Sequence, residues 1–186
     1  SGNTCKLFRS VNAGVNWMQL TSGLPTNWGS MEIALNPMNA SDIWAIQAGG
    51  TSVRRSITGG TSWEDLTHEM WAGESLREIL PLGGRGVALF SSEGVYYYDN
   101  ESGVWEDASA GIPAYWAPLE GSTHYASGTL RIADKGKGVW QADIPWSLTP
   151  LARPMTDSPE VYCALDTVVF DCHSVVLHEG ASWEWS

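Results

Sequence analysis

Along most of the chain, apolar residues fall in short runs with a two-residue alternation, and turn-forming residues interrupt them at even intervals. The runs 31–35, 42–48 and 52–56 form one group, 76–82, 86–91 and 94–98 a second, and 118–125, 129–133 and 138–144 a third. Each is bounded by Gly, Asn, Asp, Ser or Pro, as strands joined by tight turns require. No segment carries the three-to-four-residue apolar spacing of an amphipathic helix. The expectation is an all-β chain of short antiparallel strands.

A polar motif punctuates the strands. Ser10-Val11-Asn12-Ala13-Gly14-Val15-Asn16-Trp17 and Ser56-Ile57-Thr58-Gly59-Gly60-Thr61-Ser62-Trp63 match in Ser, Gly and Trp at identical offsets, 46 residues apart. A weaker copy, Tyr98 to Trp105 with Asn100 and Gly103, follows 42 residues later. Counting the strand after each Trp, the unit is four antiparallel strands in 42–46 residues, the size of one β-propeller blade. A tight connection between the third and fourth strands needs positive φ, which Gly14 and Gly60 supply. Ser10, Asn12, Ser56 and Thr58 are placed to accept hydrogen bonds from turn amides, and Trp17 and Trp63 to fold over the hairpin.

The two strong copies resemble the Asp-box (bacterial neuraminidase) repeat, Ser-x-Asp-x-Gly-x-Thr-Trp, found in sialidases, xyloglucanase-type hydrolases, sortilin-type receptors and secreted surface proteins. The name-giving Asp is replaced by Asn12, Thr58 and Asn100. In that family the box is structural. The resemblance therefore implies a propeller over 1–144, an incomplete ring of about three blades, and no reaction. Leu130-Arg131, Gly136-x-Gly138 and Val139-Trp140 resemble the closing segment of large secreted propellers of Bacteroidota. No helix is expected after Gly138, so the Gly-x-Gly is read as a turn and not a phosphate loop.

From Pro145 the spacing changes. Pro145, Pro150, Pro154 and Pro159 mark 145–160 as an extended linker. The pieces 161–163, 167–174 and 182–185 are similar to the first half of a PKD-like β-sandwich, which assigns 161–186 to a second module. The start enters a blade at its third strand and the finish leaves a sandwich half built, which points to the ordered part of a longer protein or to edges covered by something else.

Charge narrows the partners. Ten Lys and Arg stand against 21 Asp and Glu, a net charge of −11, which disfavours nucleic acid and anionic membrane. No apolar run reaches the length of a membrane span. Cys5, Cys163 and Cys172 do not make a disulfide framework, and a Cys163–Cys172 bridge is open either way. His68, His124, His173 and His178 lack metal-ligand spacing, so neither a metal nor a cofactor is expected. Glu64-Asp65 and Glu106-Asp107 suggest paired carboxylates, but they recur at one blade position, which assigns them to the scaffold.

Trp28, Trp71 and Tyr115-Trp116 precede each new blade. They either offer flat rings to a sugar or a protein partner, or fill the seams between sheets, which is the favoured reading. The resemblance implies a non-catalytic binding or spacer region of a large extracellular or cell-surface protein. It further implies export by the type IX secretion system and a role in adhesion, gliding or outer-membrane assembly, with a protein or surface glycan as partner. The alternative is the C-terminal blades of a xyloglucanase-like or sialidase-like glycoside hydrolase.

Overall fold

The computed structural model describes residues 5–20, 23–25, 27–125, 127–145, 154–156 and 170–172. These form short antiparallel strands and, among the described residues, no α-helix. The chain opens on a two-stranded ribbon, β1 (Phe8–Arg9) and β2 (Met18–Gln19). A four-stranded sheet follows, ordered β3 (Met31–Leu35), β4 (Ile43–Gln47), β5 (Val53–Ser56), β6 (Glu64–Asp65). The next has the same order, with β7 (Leu76–Pro81), β8 (Gly86–Ser91), β9 (Val95–Asp99) and β10 (Val104–Asp107). A three-stranded sheet, β11 (Pro118–His124), β12 (Thr129–Asp134) and β13 (Gly138–Asp143), completes the series. The strands fall where the alternation placed them. Four successive sheets are present in place of about three full blades, and only two of them hold four strands.

β14 (Pro154–Thr156) pairs antiparallel with β15 (Phe170–Cys172). The remainder of the expected linker and of the PKD-like module, including Cys163, lies outside the described residues. Cys5 carries a free thiol.

The two strong boxes fold alike. Ser10 Oγ accepts from the Gly14 amide at 2.8 Å, and Ser56 Oγ from the Gly60 amide at 2.8 Å. Asn12 Oδ1 accepts from the Asn16 amide at 2.9 Å, and Thr58 Oγ1 from the Ser62 amide at 3.0 Å. An amide oxygen or a hydroxyl thus does what a carboxylate would do at this position. Gly14 and Gly60 sit at φ +87° and +92°, and a methyl added at Gly60 would strike the Leu20 side chain. The third copy differs. Asn100 turns its amide to the Gly84 carbonyl, and the turn is held by Asp99, whose Oδ1 accepts from the Glu101 amide.

The sheets pack face to face, and the rows of side chains between them form three clusters. Leu24, Trp28 and Ala45 lie between the ribbon and the second sheet. Trp44, Ile46, Trp71, Ile79, Tyr96, Tyr98 and Trp105 fill the next seam. Phe90, Tyr97, Trp116, Leu130 and Ile132 fill the last. Every residue of β8 and β9 is buried, so Tyr97 serves one seam while Tyr96 and Tyr98 serve the other. That is the two-residue period of a strand covered on both sides.

Two ion pairs, one largely buried and one half-exposed on its cation, tie the second strand's entry to the third strand. Arg55 grips Asp42 through Nε at 2.9 Å and Nη2 at 3.1 Å, and Arg85 grips Asp99 through Nε at 2.9 Å and Nη2 at 3.2 Å. The polarity is reversed between the sheets, so the pairing, not the sign, is what the sheet needs. Asp42 also accepts from Asn36 Nδ2 at 3.0 Å, and Arg55 lies 5.0 Å above the Trp44 ring. Truncating Asp42 would leave a guanidinium buried and unmatched. Asp42→Ala is therefore expected to destabilise the fold by about 3–5 kcal/mol in urea unfolding. A loss under about 1 kcal/mol would show that the pair is solvated.

Candidate functional site

The arrangement of sheets decides where chemistry is available. In each sheet the first strand is the inner one, and β3, β7 and β11 lie beside one another. Two of the three are bulged. The register of β7 against β8 shifts between Leu76 and Glu78, and that of β11 against β12 between Pro118 and Gly121. Bulges re-aim side chains and commonly flank functional surfaces. Here they fall at Arg77 and at Leu119 and Glu120.

The result is a carboxylate group drawn from three successive sheets. Glu78 on β7 is half-buried, while Glu32 on β3 and Glu120 on β11 are exposed. The Glu78 carboxyl is pushed up to about 7, first by burial, then by the negative charge of Glu32, and further by that of Glu120. Hydrogen bonds from the Ile79 and Gly121 amides act in the opposite sense and are outweighed. An open cavity of about 300 Å³ at the starts of the inner strands is lined by Ser30, Ala48, Gly49, Leu76, Arg77, Pro118 and Leu119, and none of the three glutamates lines it. Arg77 is the cation at its wall. Among the described residues no group of three or more His, Cys, Asp or Glu has the geometry to hold a metal ion.

The aromatic candidates have separate fates. Trp28, Trp71 and Trp116 are buried in the seams, with no ring face open to solvent. Trp71 donates its indole N–H to the Thr51 carbonyl at 2.8 Å, and Trp116 to the Ser91 carbonyl at 3.1 Å. Tyr115 is 94% exposed, sits at φ +62°, and has the Lys137 ammonium 6.0 Å from its ring centre. The short helical turn Glu69–Trp71, capped by His68 Nδ1, seats Trp71 and is too brief to leave a period in the sequence.

The aspartates of the repeated acidic pairs are occupied by the scaffold. Asp65 Oδ1 accepts from the Thr67 amide and pairs with Arg54; Asp107 Oδ1 accepts from the Ser109 amide. Thr67 and Ser109 in turn accept from the Val53 and Val95 amides. The box residues Ser10, Asn12, Gly14, Trp17, Ser56, Thr58, Gly60 and Trp63 lie at the turns between third and fourth strands, away from the inner strands. Sequence reasoning did not find Glu32, Glu78 and Glu120. The signal was present as one Glu in each inner strand, at its second or third position.

No family model matches the chain, and no curated protein matches it. Solved structures do. An ancestral GH74 enzyme superposes with a TM-score of 0.56 at 14% identity over 78% of this chain and 20% of its own. The extracellular domain of the one-component system BT4673 from B. thetaiotaomicron gives 0.53 at 14% identity over 66% of this chain and 16% of its own. Virginiamycin B lyase from Staphylococcus aureus gives 0.51 at 17% identity over 80% and 51%. The chain thus spans between a sixth and a half of these proteins, and the likeness establishes a β-propeller fold alone.

Glu78 yields a pH prediction with a definite sign. A carboxyl whose folded-state value lies above its unfolded value binds more protons when folded, so stability falls as pH rises between the two. The window runs from about 4.5, the ordinary glutamate value, to about 7. Glu78→Gln is expected to remove most of that decline, measured as denaturation midpoints at pH 4.5, 6 and 7.5. Parallel curves for the two proteins would show that Glu78 titrates normally.

Proposed function

We propose that this chain is a non-catalytic binding or spacer region of a large secreted or cell-surface protein, contacting a protein or surface glycan through the inner-strand rim. The observation that carries this reading is how the polar groups are spent. Repeated serine, asparagine, threonine and aspartate side chains are committed to turn amides, whereas Glu32, Glu78 and Glu120 gather on the inner strands with no scaffold role of that kind, and Arg77 lines an open cavity at the starts of those strands. The Asp-box resemblance supports an extracellular setting, and the resemblance to large secreted Bacteroidota proteins is the ground for proposing export through the type IX secretion system and a role in adhesion, gliding or outer-membrane assembly. No described helix is long and apolar enough to cross a membrane.

A hydrolytic reading has one specific observation in its favour. A carboxyl held near 7 beside two other carboxylates has the protonation behaviour of a general acid. Incubating the protein with xyloglucan and with sialyllactose separates the two readings. The binding reading expects retention of one of these sugars, or of a cell-surface protein, with no sugar released. Release of reducing sugar or sialic acid that Glu78→Gln abolishes would establish the hydrolase instead.

A further inference from the structure

Two of the seams are sealed by one contact made twice. Trp63 donates its indole N–H to the Leu20 carbonyl of the preceding sheet at 3.3 Å, and Trp105 donates to the Leu66 carbonyl at 3.2 Å. Leu20 and Leu66 each stand three residues after the tryptophan of their own repeat, and the third residue of the series is Ala108, three after Trp105. All three share one backbone setting, since their amides donate to the Leu7, Val53 and Val95 carbonyls at 2.8, 3.1 and 2.9 Å. Ala108 lines an open cavity of about 190 Å³ between the third and fourth sheets, with Gly111, Ile112, Trp116, Trp140 and Ala142. One wall of it repeats the seat of Trp63. Gly23, Leu24 and Trp28 follow Trp17 by 6, 7 and 11 residues, and Gly111, Ile112 and Trp116 follow Trp105 by the same intervals. Both glycines hold positive φ, +93° and +89°. At Gly23 an added methyl would meet Trp63 at 3.4 Å, whereas at Gly111 it would meet nothing within 4 Å. The seat is built, and no described side chain fills it.

The first ribbon carries an indole without a seat. Trp17 is 63% exposed, and Phe8, Val11 and Val15 on the same ribbon and turn are exposed with it. Its N–H donates to the Gly14 carbonyl at 3.0 Å, the bond that Trp63 makes inside its own box to the Gly60 carbonyl at 3.2 Å. Trp63 has a second acceptor in the sheet before it; among the described residues Trp17 has none. We propose that the cavity receives Trp17 of a second copy of this chain, joining copies through the same contact that joins successive sheets. The interface it continues selects this occupant. Two box tryptophans close seams within the chain, and Trp17 and the cavity at Ala108 are the ring and the seat left over. Aromatic and aliphatic walls with a backbone carbonyl in reach suit an indole, which needs one acceptor for its N–H. Ribbon and cavity are different patches of the surface, so the contact is heterologous: it closes as a ring of copies or runs on as a filament.

Sedimentation velocity of the 186-residue chain over a micromolar concentration series tests this. The wild type is expected to associate as concentration rises. Trp17→Ala removes the ring and Ala142→Phe fills the cavity, and both positions are exposed. Each substitution is expected to weaken association by about thirtyfold or more, as loss of an anchoring tryptophan does. Ala142→Phe leaves the box untouched, so it reports on the contact even where Trp17→Ala disturbs the ribbon. Mixing the two variants is expected to give a 1:1 pair and nothing larger, because only the Trp17 of one and the cavity of the other remain competent. A wild type that stays monomeric throughout overturns the proposal, whether the chain itself fills the cavity or nothing does. So does association that neither substitution weakens, and so does a mixture of the variants that remains monomeric.

Discussion

The fold rests on the contact of a tryptophan with the backbone of the sheet before it. The exposure of the repeated indoles follows how much of a preceding sheet is present. Trp17, with none among the described residues, is 63% exposed; Trp63, behind a two-stranded ribbon, is half-buried; Trp105, behind a full sheet, is 5% exposed. Burying one indole removes about 150–250 Å² from water, which at 25 cal/mol/Å² is about 4–6 kcal/mol. The accompanying N–H···O bond contributes about 1 kcal/mol. Apolar burial therefore supplies the adhesion, and the hydrogen bond fixes the angle at which one sheet meets the next.

That angle has a consequence for the site. Sheets joined edge over face by bulky rings at their outer strands converge at their inner strands, which brings β3, β7 and β11 together and leaves little room between them. At Gly121 a methyl group would strike both the Leu80 side chain and the Arg131 carbonyl. The bulges on β7 and β11 relieve this crowding by diverting one residue from each ladder. The same constraint that seals the outer seams thus delivers three glutamates to one rim and partly strips Glu78 of water.

Much of this was legible because it repeats. Ser, Gly and Trp at fixed offsets announced the turns, and the short apolar runs between them announced the strands, though not that β8 and β9 are covered on both faces. What sequence did not reveal depends on pairing across the chain. Nothing near Asp42 names Arg55, and nothing near Arg85 names Asp99, since one sheet reverses the polarity of the other. The third box misled for a related reason: Asn100 occupies the expected place, but the Arg85–Asp99 pair has taken over the turn. The bulges were hidden because an inserted residue leaves composition unchanged and shows only in register. Trp28, Trp71 and Trp116 looked alike as ligand platforms or as plugs, and only the packing of neighbouring sheets separates those roles.

Recurrence separated architecture from chemistry for Glu64-Asp65 and Glu106-Asp107, yet the same rule applied to Glu32, Glu78 and Glu120 would dismiss them too, since they also sit on successive sheets. Energetics distinguishes the two sets. Burial raises the Asp65 value, but hydrogen bonds from Thr67 and the Arg54 guanidinium together outweigh it and hold it below the ordinary range, and hydrogen bonds from Ser109 hold Asp107 low, so their ionised forms favour the folded state. Glu78 is displaced the other way by burial and by its neighbours' charge, so its ionised form opposes folding at neutral pH. A scaffold has no use for a group that weakens it. A carboxyl kept where ionisation is penalised, on a bulged inner strand between two other carboxylates, is better explained by what it meets there than by what it holds together.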